Sequence, residues 1–306
     1  MKKILVIKHG SLGDIVFSLP AMISVKKKYL NSTIHLLTEK KFVNLLDRPK
    51  IFNKIIVDNR KVFFLFNLVN IFKLINNDYD LIIDLQNSQR TSIYNFFFRF
   101  FSKSYICSSR PFSHYRYRIP LQGTEKAKIG LANQLSLLNI KIEHNPNYDW
   151  LMDKKNNQIS SPIVMLIPGV SKNNEYKQWE PEKFLKIAKY CESKDYKICI
   201  IGTKLDIDTA NLIINNCYNV IDMIGTSPPE IIYSLASQAK LILSNDTGPG
   251  HIAALANNNI IWLLNDNFIS KSNIEDKDSN YKIFSKSIKR ITSDYVINYI
   301  KKNKLL

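Results

Sequence analysis

The chain has 306 residues, 45% of them hydrophobic and 23% charged, which suits two globular domains with sizeable cores and excludes a disordered polymer. Its formal charge is +17, and the excess is lopsided: 23 Lys and Arg accompany 10 Asp and Glu in residues 1–150, against 20 and 16 in residues 151–306. Four cysteines without a C-x-x-C spacing and five histidines without helical pairing predict reduced, mostly buried thiols and no metal centre.

Ile4–Lys8 opens the chain as a strand of the buried parallel type, and it is too short for the apolar core of a signal peptide, so a cytoplasmic protein is expected. The loop Lys8-His9-Gly10-Ser11-Leu12-Gly13-Asp14 leads into a helical pattern over 15–30. It lacks the spacing of a dinucleotide fingerprint and of a P-loop. Asp14 stands above the carboxyl end of a strand, where a carboxylate can act as a general base; capping the helix is the plainer alternative. Strands at Ile34–Thr38, Lys54–Val57 and Leu81–Leu85 then alternate with helices near 40–47, 61–76, 88–101 and 125–139. The greasiest run, Val62–Phe72, is broken by Asn67 and Asn70 and reaches Lys73 too soon to span a bilayer.

Between Ser88 and Arg118, Arg90, Arg99, Lys103, Arg110, Arg116 and Arg118 interleave with ten Phe and Tyr residues. Such a mixture fits a nucleic-acid surface or a membrane interface, and a core helix with a solvated basic face accounts for it equally well.

Asn145–Pro162, rich in Asn, Lys and Ser, has the composition of a linker, and the alternation restarts after it. Strands at Ile163–Ile167, Lys197–Ile201, Val220–Ile224, Leu241–Leu243 and Ile260–Leu264 alternate with helices near 181–194, 205–215, 228–238 and 249–257, and a last helix covers 293–302. Two βα arrays predict an α/β protein of two Rossmann-like, doubly wound parallel-sheet domains, 1–150 and 151–306, with ligands at the carboxyl ends of the strands. Asp14 and the 246–251 turn are then expected to face each other across an interdomain cleft. In that turn, Asp246-Thr247-Gly248-Pro249-Gly250-His251 joins a strand directly to a helix. Its backbone N–H groups and helix dipole suit an anion such as a phosphate, an ordinary capped connection being the alternative.

Four motifs in order resemble the ADP-heptose:lipopolysaccharide heptosyltransferases, glycosyltransferases of family 9 with the GT-B fold. They are S-L-G-D-I-V-F-S-L-P at Ser11–Pro20, P-G-V-S…K-x-W-x-P-E-K-F at Pro168–Phe184, M-I-G-T-S-x-x-E at Met223–Glu230 and S-N-D-T-G-P-x-H at Ser244–His251. The resemblance implies an inverting, metal-independent transfer of a heptose or related sugar from an ADP-sugar to a lipopolysaccharide core-type acceptor. It casts Asp14 as the base that deprotonates the acceptor hydroxyl. Lys177, Thr247, Gly248 and Ser171 would hold the donor diphosphate. Asp246 and His251 would meet the donor sugar or orient the turn, and Asp206 or Asp208 would take the ribose hydroxyls.

The implied partners are a nucleotide-sugar donor, a lipid-linked anionic glycan acceptor and, transiently, the anionic inner leaflet, which the basic N-terminal half would attract. No cofactor, metal or nucleic acid is implied, and the protein would be cytoplasmic and peripheral at the inner membrane. Transfer of another nucleotide sugar to a different surface glycan, or noncatalytic binding of a nucleotide sugar or nucleic acid, are the alternatives. The chain departs from the family pattern at Lys8-His9-Gly10, which bears on the acceptor, and after Leu264, where Asn265–Ser270 replaces a Gly-Pro turn near the donor. Gly250 stands where a larger side chain is frequent, which predicts extra space beside His251.

Overall fold

Apolar runs without polar alternation form strands because helices cover both faces of a parallel sheet. The computed structural model describes residues 1–59, 64–120, 125–153, 159, 161–172, 174–266, 274 and 276–306. The chain divides into two units, Met1–Trp150 and Leu151–Leu306.

In the first unit the strands are β1 (Lys3–Ile7), β2 (Thr33–Thr38), β3 (Lys54–Val57), β4 (Leu81–Asp84), β5 (Tyr105–Ser108) and β6 (Tyr115–Arg116). Its helices are α1 (Leu12–Lys28), α2 (Val43–Asp47), α3 (Phe64–Ile75), α4 (Gln89–Phe101) and α5 (Ala127–Ser136). The six strands pair in the order β3-β2-β1-β4-β5-β6, every pair parallel. Ile4, Leu5, Val6 and Ile7 of β1 are fully buried, and Tyr94 and Phe98 of α4 pack with Leu5, Ile7, Ile82 and Ile106 over one face. Each such side chain contributes roughly 1.5–3 kcal/mol by leaving water.

The second unit repeats the scheme. Its strands are β7 (Ile163–Ile167), β8 (Lys197–Gly202), β9 (Val220–Ile224), β10 (Ala239–Asn245), β11 (Ile260–Asn265) and β12 (Asn280–Ser285). Its helices are α6 (Pro181–Glu192), α7 (Ile207–Ile214), α8 (Pro229–Ala236), α9 (Gly248–Ala254) and α10 (Ser293–Lys302). The sheet order β12-β11-β10-β7-β8-β9 is again wholly parallel.

Both sheets therefore run outward in two directions from a central pair, β1 with β4 and β7 with β10. Loops leaving the carboxyl ends of such a pair diverge to opposite faces and open a crevice between them, the usual ligand position in an open α/β sheet. The loops after β1 and β4 begin at Lys8 and Leu85, and those after β7 and β10 at Pro168 and Asp246.

Three strands, β5, β6 and β12, lie outside the sequence-based expectation. The helix expected near 88–101 is α4, and Ser102, with an extended φ of −139°, ends it; β5 and β6 follow. β6 is two residues long and β12 half exposed, so neither has the apolar run that marks a central strand. The stretch expected to be a linker is partly packed, since Tyr148 and Leu151 are buried.

Candidate active site

In the first unit, Ser11 is the N-cap of α1 and Asp14 its third residue. The Asp14 carboxylate accepts from the Ser11 backbone N–H at 2.7 Å and from the Ser11 hydroxyl at 2.8 Å, both on Oδ2. This is a capping box, so the plainer reading of Asp14 as a cap holds geometrically. It leaves Oδ1 without a hydrogen-bond donor among the described residues, and the half-buried side chain can still meet a ligand. Gly10 makes the arrangement possible: its φ is +118°, and a Cβ there would fall 2.6 Å from Asp14 Oδ2.

Behind this loop are charged groups whose partners the sequence does not reveal. Lys8 is 4% exposed, its Nζ donating to the Leu85 carbonyl at 3.3 Å and lying 5.0 Å from the centre of the Phe17 ring. Burial pushes its pKa below the ordinary lysine value, while the charges of Asp14 and Asp84 counter part of that effect. His9, 1% exposed, sets Nε2 3.2 Å from Asp58 Oδ2, and Tyr94 donates to the same oxygen at 2.7 Å. Burial tends to raise the Asp58 pKa, but hydrogen bonds from His9 and Tyr94, with the charges of His9 and Arg90, bring it below the usual value. The unusual His9 thus has a buried structural partner, found on β3's far side in sequence and invisible to local pattern.

In the second unit, the loop after β7 carries Ser171 and a short turn, Glu175–Lys177. Trp179 anchors that turn: it is 1% exposed, its indole N–H donates to the Ile291 carbonyl at 2.8 Å, and its ring meets Phe184 edge-on at 5.0 Å. The K-x-W spacing therefore has a mechanical reason, since a fixed Trp179 aims Lys177. Lys177 Nζ lies 2.7 Å from Asp246 Oδ2, and His251 Nε2 lies 3.3 Å from Asp246 Oδ1. Burial tends to raise the Asp246 carboxyl, but the hydrogen bonds and charges of His251 and Lys177 outweigh it and hold the pKa at about 2. Both Asp246 oxygens are thereby engaged within the turn, so Asp246 positions Lys177 and His251.

Thr247 is the N-cap of α9, yet its side chain makes no capping hydrogen bond. Pro249 has no N–H, so Gly248 and Gly250 supply the backbone donors of the first turn, with Lys177 at their side. Asn245 ties this turn to the other central loop, its Nδ2 donating to the Pro168 carbonyl at 2.7 Å. Ser171 is exposed and accepts from Asn174 Nδ2 at 2.5 Å.

One expectation changes here and another narrows. Gly250 does not widen the space beside His251, because a Cβ would fall 2.4 Å from Ser244 Oγ and 2.8 Å from the Trp262 ring. Trp262 fills that volume, with its ring centre 5.1 Å from that of His251. Asp206, one of the two residues expected for the ribose, is 5% exposed and accepts through Oδ2 from the Thr203 N–H at 2.8 Å and hydroxyl at 3.0 Å. A Cβ on Gly169 would fall 2.5 Å from the same oxygen, so Asp206 packs beneath the Pro168-Gly169 loop as a structural cap. Asp208, in the first turn of α7, is exposed. The divergent loop after Leu264 falls mostly outside the described residues, at 267–270.

Two open, wholly parallel six-stranded sheets, each with a glycine-bearing turn at its central pair, define a glycosyltransferase architecture of the GT-B class. The chain belongs to glycosyltransferase family 9 (heptosyltransferase), whose family model matches residues 70–264. It is 23% identical over 277 residues to lipopolysaccharide heptosyltransferase 3 of Escherichia coli, covering 82% of this chain and 80% of that one. The fold is similar to that of a family 9 glycosyltransferase from Veillonella parvula, with a TM-score of 0.79, 17% identity and coverage of 98% of this chain and 96% of that one. It is also similar to the heptosyltransferase WaaC of E. coli solved with ADP-2-deoxy-2-fluoro heptose, with a TM-score of 0.77, 15% identity and coverage of 98% and 99%. Among the described residues no helix is long and apolar enough to cross a membrane.

Proposed function

We propose that this heptosyltransferase-type enzyme transfers a heptose or closely related sugar from an ADP-sugar to a lipopolysaccharide core-type, lipid-linked acceptor, with inversion at the anomeric carbon. The observation that carries the reading is the Lys177–Asp246–His251 cluster beside the uncapped first turn of α9. A cation held by an ionised carboxylate next to free backbone donors is organised before any ligand arrives, and such preorganised charge suits a leaving diphosphate.

In this reading Asp14 takes the proton from the acceptor hydroxyl as its oxygen attacks the anomeric carbon, and the bond to the donor diphosphate breaks on the opposite side of that carbon. Lys177, the Gly248 N–H and the Thr247 hydroxyl receive the charge that develops on the departing nucleotide, with Ser171 as a further contact. The reaction so described has no need of a metal ion or other cofactor. Asp208, whose carboxylate is exposed, is assigned to the ribose in place of Asp206. Work on a lipid-linked acceptor places the protein at the cytoplasmic face of the inner membrane, to which its basic first unit is attracted.

A thermal-shift comparison of ADP-heptose, ADP and UDP-sugars tests the donor, because a ligand that binds only the folded state raises the melting temperature by mass action. The reading expects the largest shift with ADP-heptose, and equal shifts with UDP-sugars would sink it. Product anomeric configuration, read by NMR after transfer to a core-type acceptor, tests the inversion.

A further inference from the structure

Helix α4 carries two aromatic stripes. Tyr94 and Phe98 point inward and are buried, as their i, i+4 spacing requires, and they account for the helix's place on the sheet. Phe96, Phe97, Phe100 and Phe101 form a second stripe, of which only Phe97 packs against the core. Phe96 packs on Phe100 at 4.9 Å and on Phe97 at 5.5 Å between ring centres, and Phe97 stacks on Phe101 at 5.9 Å. Phe72 of α3 joins at 5.8 Å from both Phe97 and Phe101, and Phe112 of the β5–β6 connection at 5.2 Å from Phe96. The six rings make one continuous array, yet Phe100 remains 63% exposed, Phe101 55% and Phe112 43%. A contiguous exposed aromatic face on a folded domain marks a partner.

The charge around it identifies the chemistry of that partner. Residues 85–124 contain six Lys and Arg and no Asp or Glu. Arg99 and Lys103, next to Phe100 and Phe101 in sequence, are exposed, as is Arg116 of β6. Exposed phenylalanine rings in a segment whose charges are all cationic fit the headgroup level of an anionic bilayer, where the rings enter the acyl boundary and the cations meet lipid phosphates. We propose that this face, built from α3, α4 and the β5–β6 connection, docks the first unit on an anionic lipid surface. The proposal rests on the reading of the acceptor as lipid-linked.

Vesicle flotation of the full chain tests it, using vesicles that contain phosphatidylglycerol and vesicles of phosphatidylcholine alone. The expected result is salt-sensitive binding to the anionic vesicles that falls about tenfold in Phe100→Ser/Phe101→Ser and in Arg99→Glu/Lys103→Glu. ADP affinity and melting temperature should stay at wild-type values in both, since none of the four side chains is buried. Wild-type protein that ignores anionic vesicles, or variants that bind them unchanged, would overturn the proposal. So would sedimentation showing a wild-type dimer that the phenylalanine variant dissociates while its vesicle binding persists. Transfer to a water-soluble acceptor fragment separates the two readings: normal transfer without docking overturns the docking alone, and docking without transfer supports the docking and overturns the functional reading.

Discussion

Lys177 and Asp246, 69 residues apart, form an ion pair of 2.7 Å in which a side chain of the loop after β7 meets a side chain of the loop after β10. Those strands are neighbours at the centre of their sheet, and the pair links their loops. Replacing Lys177 by Ala removes the cation proposed for the diphosphate and leaves a mostly buried carboxylate with His251 alone. Affinity for ADP, measured by calorimetry, should fall about tenfold or more, and urea unfolding should show a loss of about 1–3 kcal/mol. Unchanged ADP affinity would remove Lys177 from the donor site.

The same pair predicts a pH dependence. Asp246 is held at about 2 against an ordinary 3.8, so the folded state gains stability wherever the unfolded carboxyl is also ionised, and loses it as pH falls through about 2. The gain corresponds to about 2 kcal/mol at 1.36 kcal/mol per pKa unit. Urea titrations of the wild type and Asp246→Asn should therefore differ by about that much above pH 4 and converge toward pH 2. A difference that is constant over this window would show that Lys177 and His251 do not stabilise the ionised form.

Asp14 has two separable roles, because its capping acceptor can be kept while its charge is removed. Asp14→Asn retains an oxygen for the Ser11 N–H, so melting should change little, whereas turnover should fall by roughly 10²–10⁴ if the carboxylate is the base. Asp14→Ala should lose the same turnover and, in addition, about 1 kcal/mol of stability with the cap. Near-normal turnover of the Asn variant would reduce Asp14 to a helix cap.

Gly250→Ala tests whether Trp262 is the reason for glycine at that position. The added Cβ meets Ser244 Oγ and the indole ring well inside contact distance. A loss of about 1–3 kcal/mol is expected, together with weaker ADP binding as the turn shifts. If Gly250→Ala/Trp262→Leu recovers stability that the single variant lost, the two positions share one volume; failure to recover points to the nearer contact, Ser244 Oγ.

Much of this protein is legible from residues alone. Ile4–Ile7, Ile163–Ile167 and Leu241–Leu243 mark central strands because a strand covered on both faces carries no polar alternation, and the glycine-bearing turns that follow them lie at the carboxyl ends of those strands. β6 and β12 escape such a reading because edge strands are short or half exposed, and β5, though inside the sheet, has only four residues, so their conformation comes from the neighbours they pair with.

The sequence by itself determined the two βα arrays, the positions of the turns and the family to which they belong, since each follows from apolar periodicity or a local run of residues. Only the tertiary structure decided what the polar atoms do. It buries Asp206 under Gly169 and leaves Asp208 exposed, two residues away, and it puts Trp262 in the space that Gly250 opens. It also gathers Phe72, Phe96 and Phe112 from three elements into one aromatic face. Local pattern encodes whether a residue turns inward or outward; which residue it then meets depends on strand order and helix rotation, fixed by packing over the whole unit.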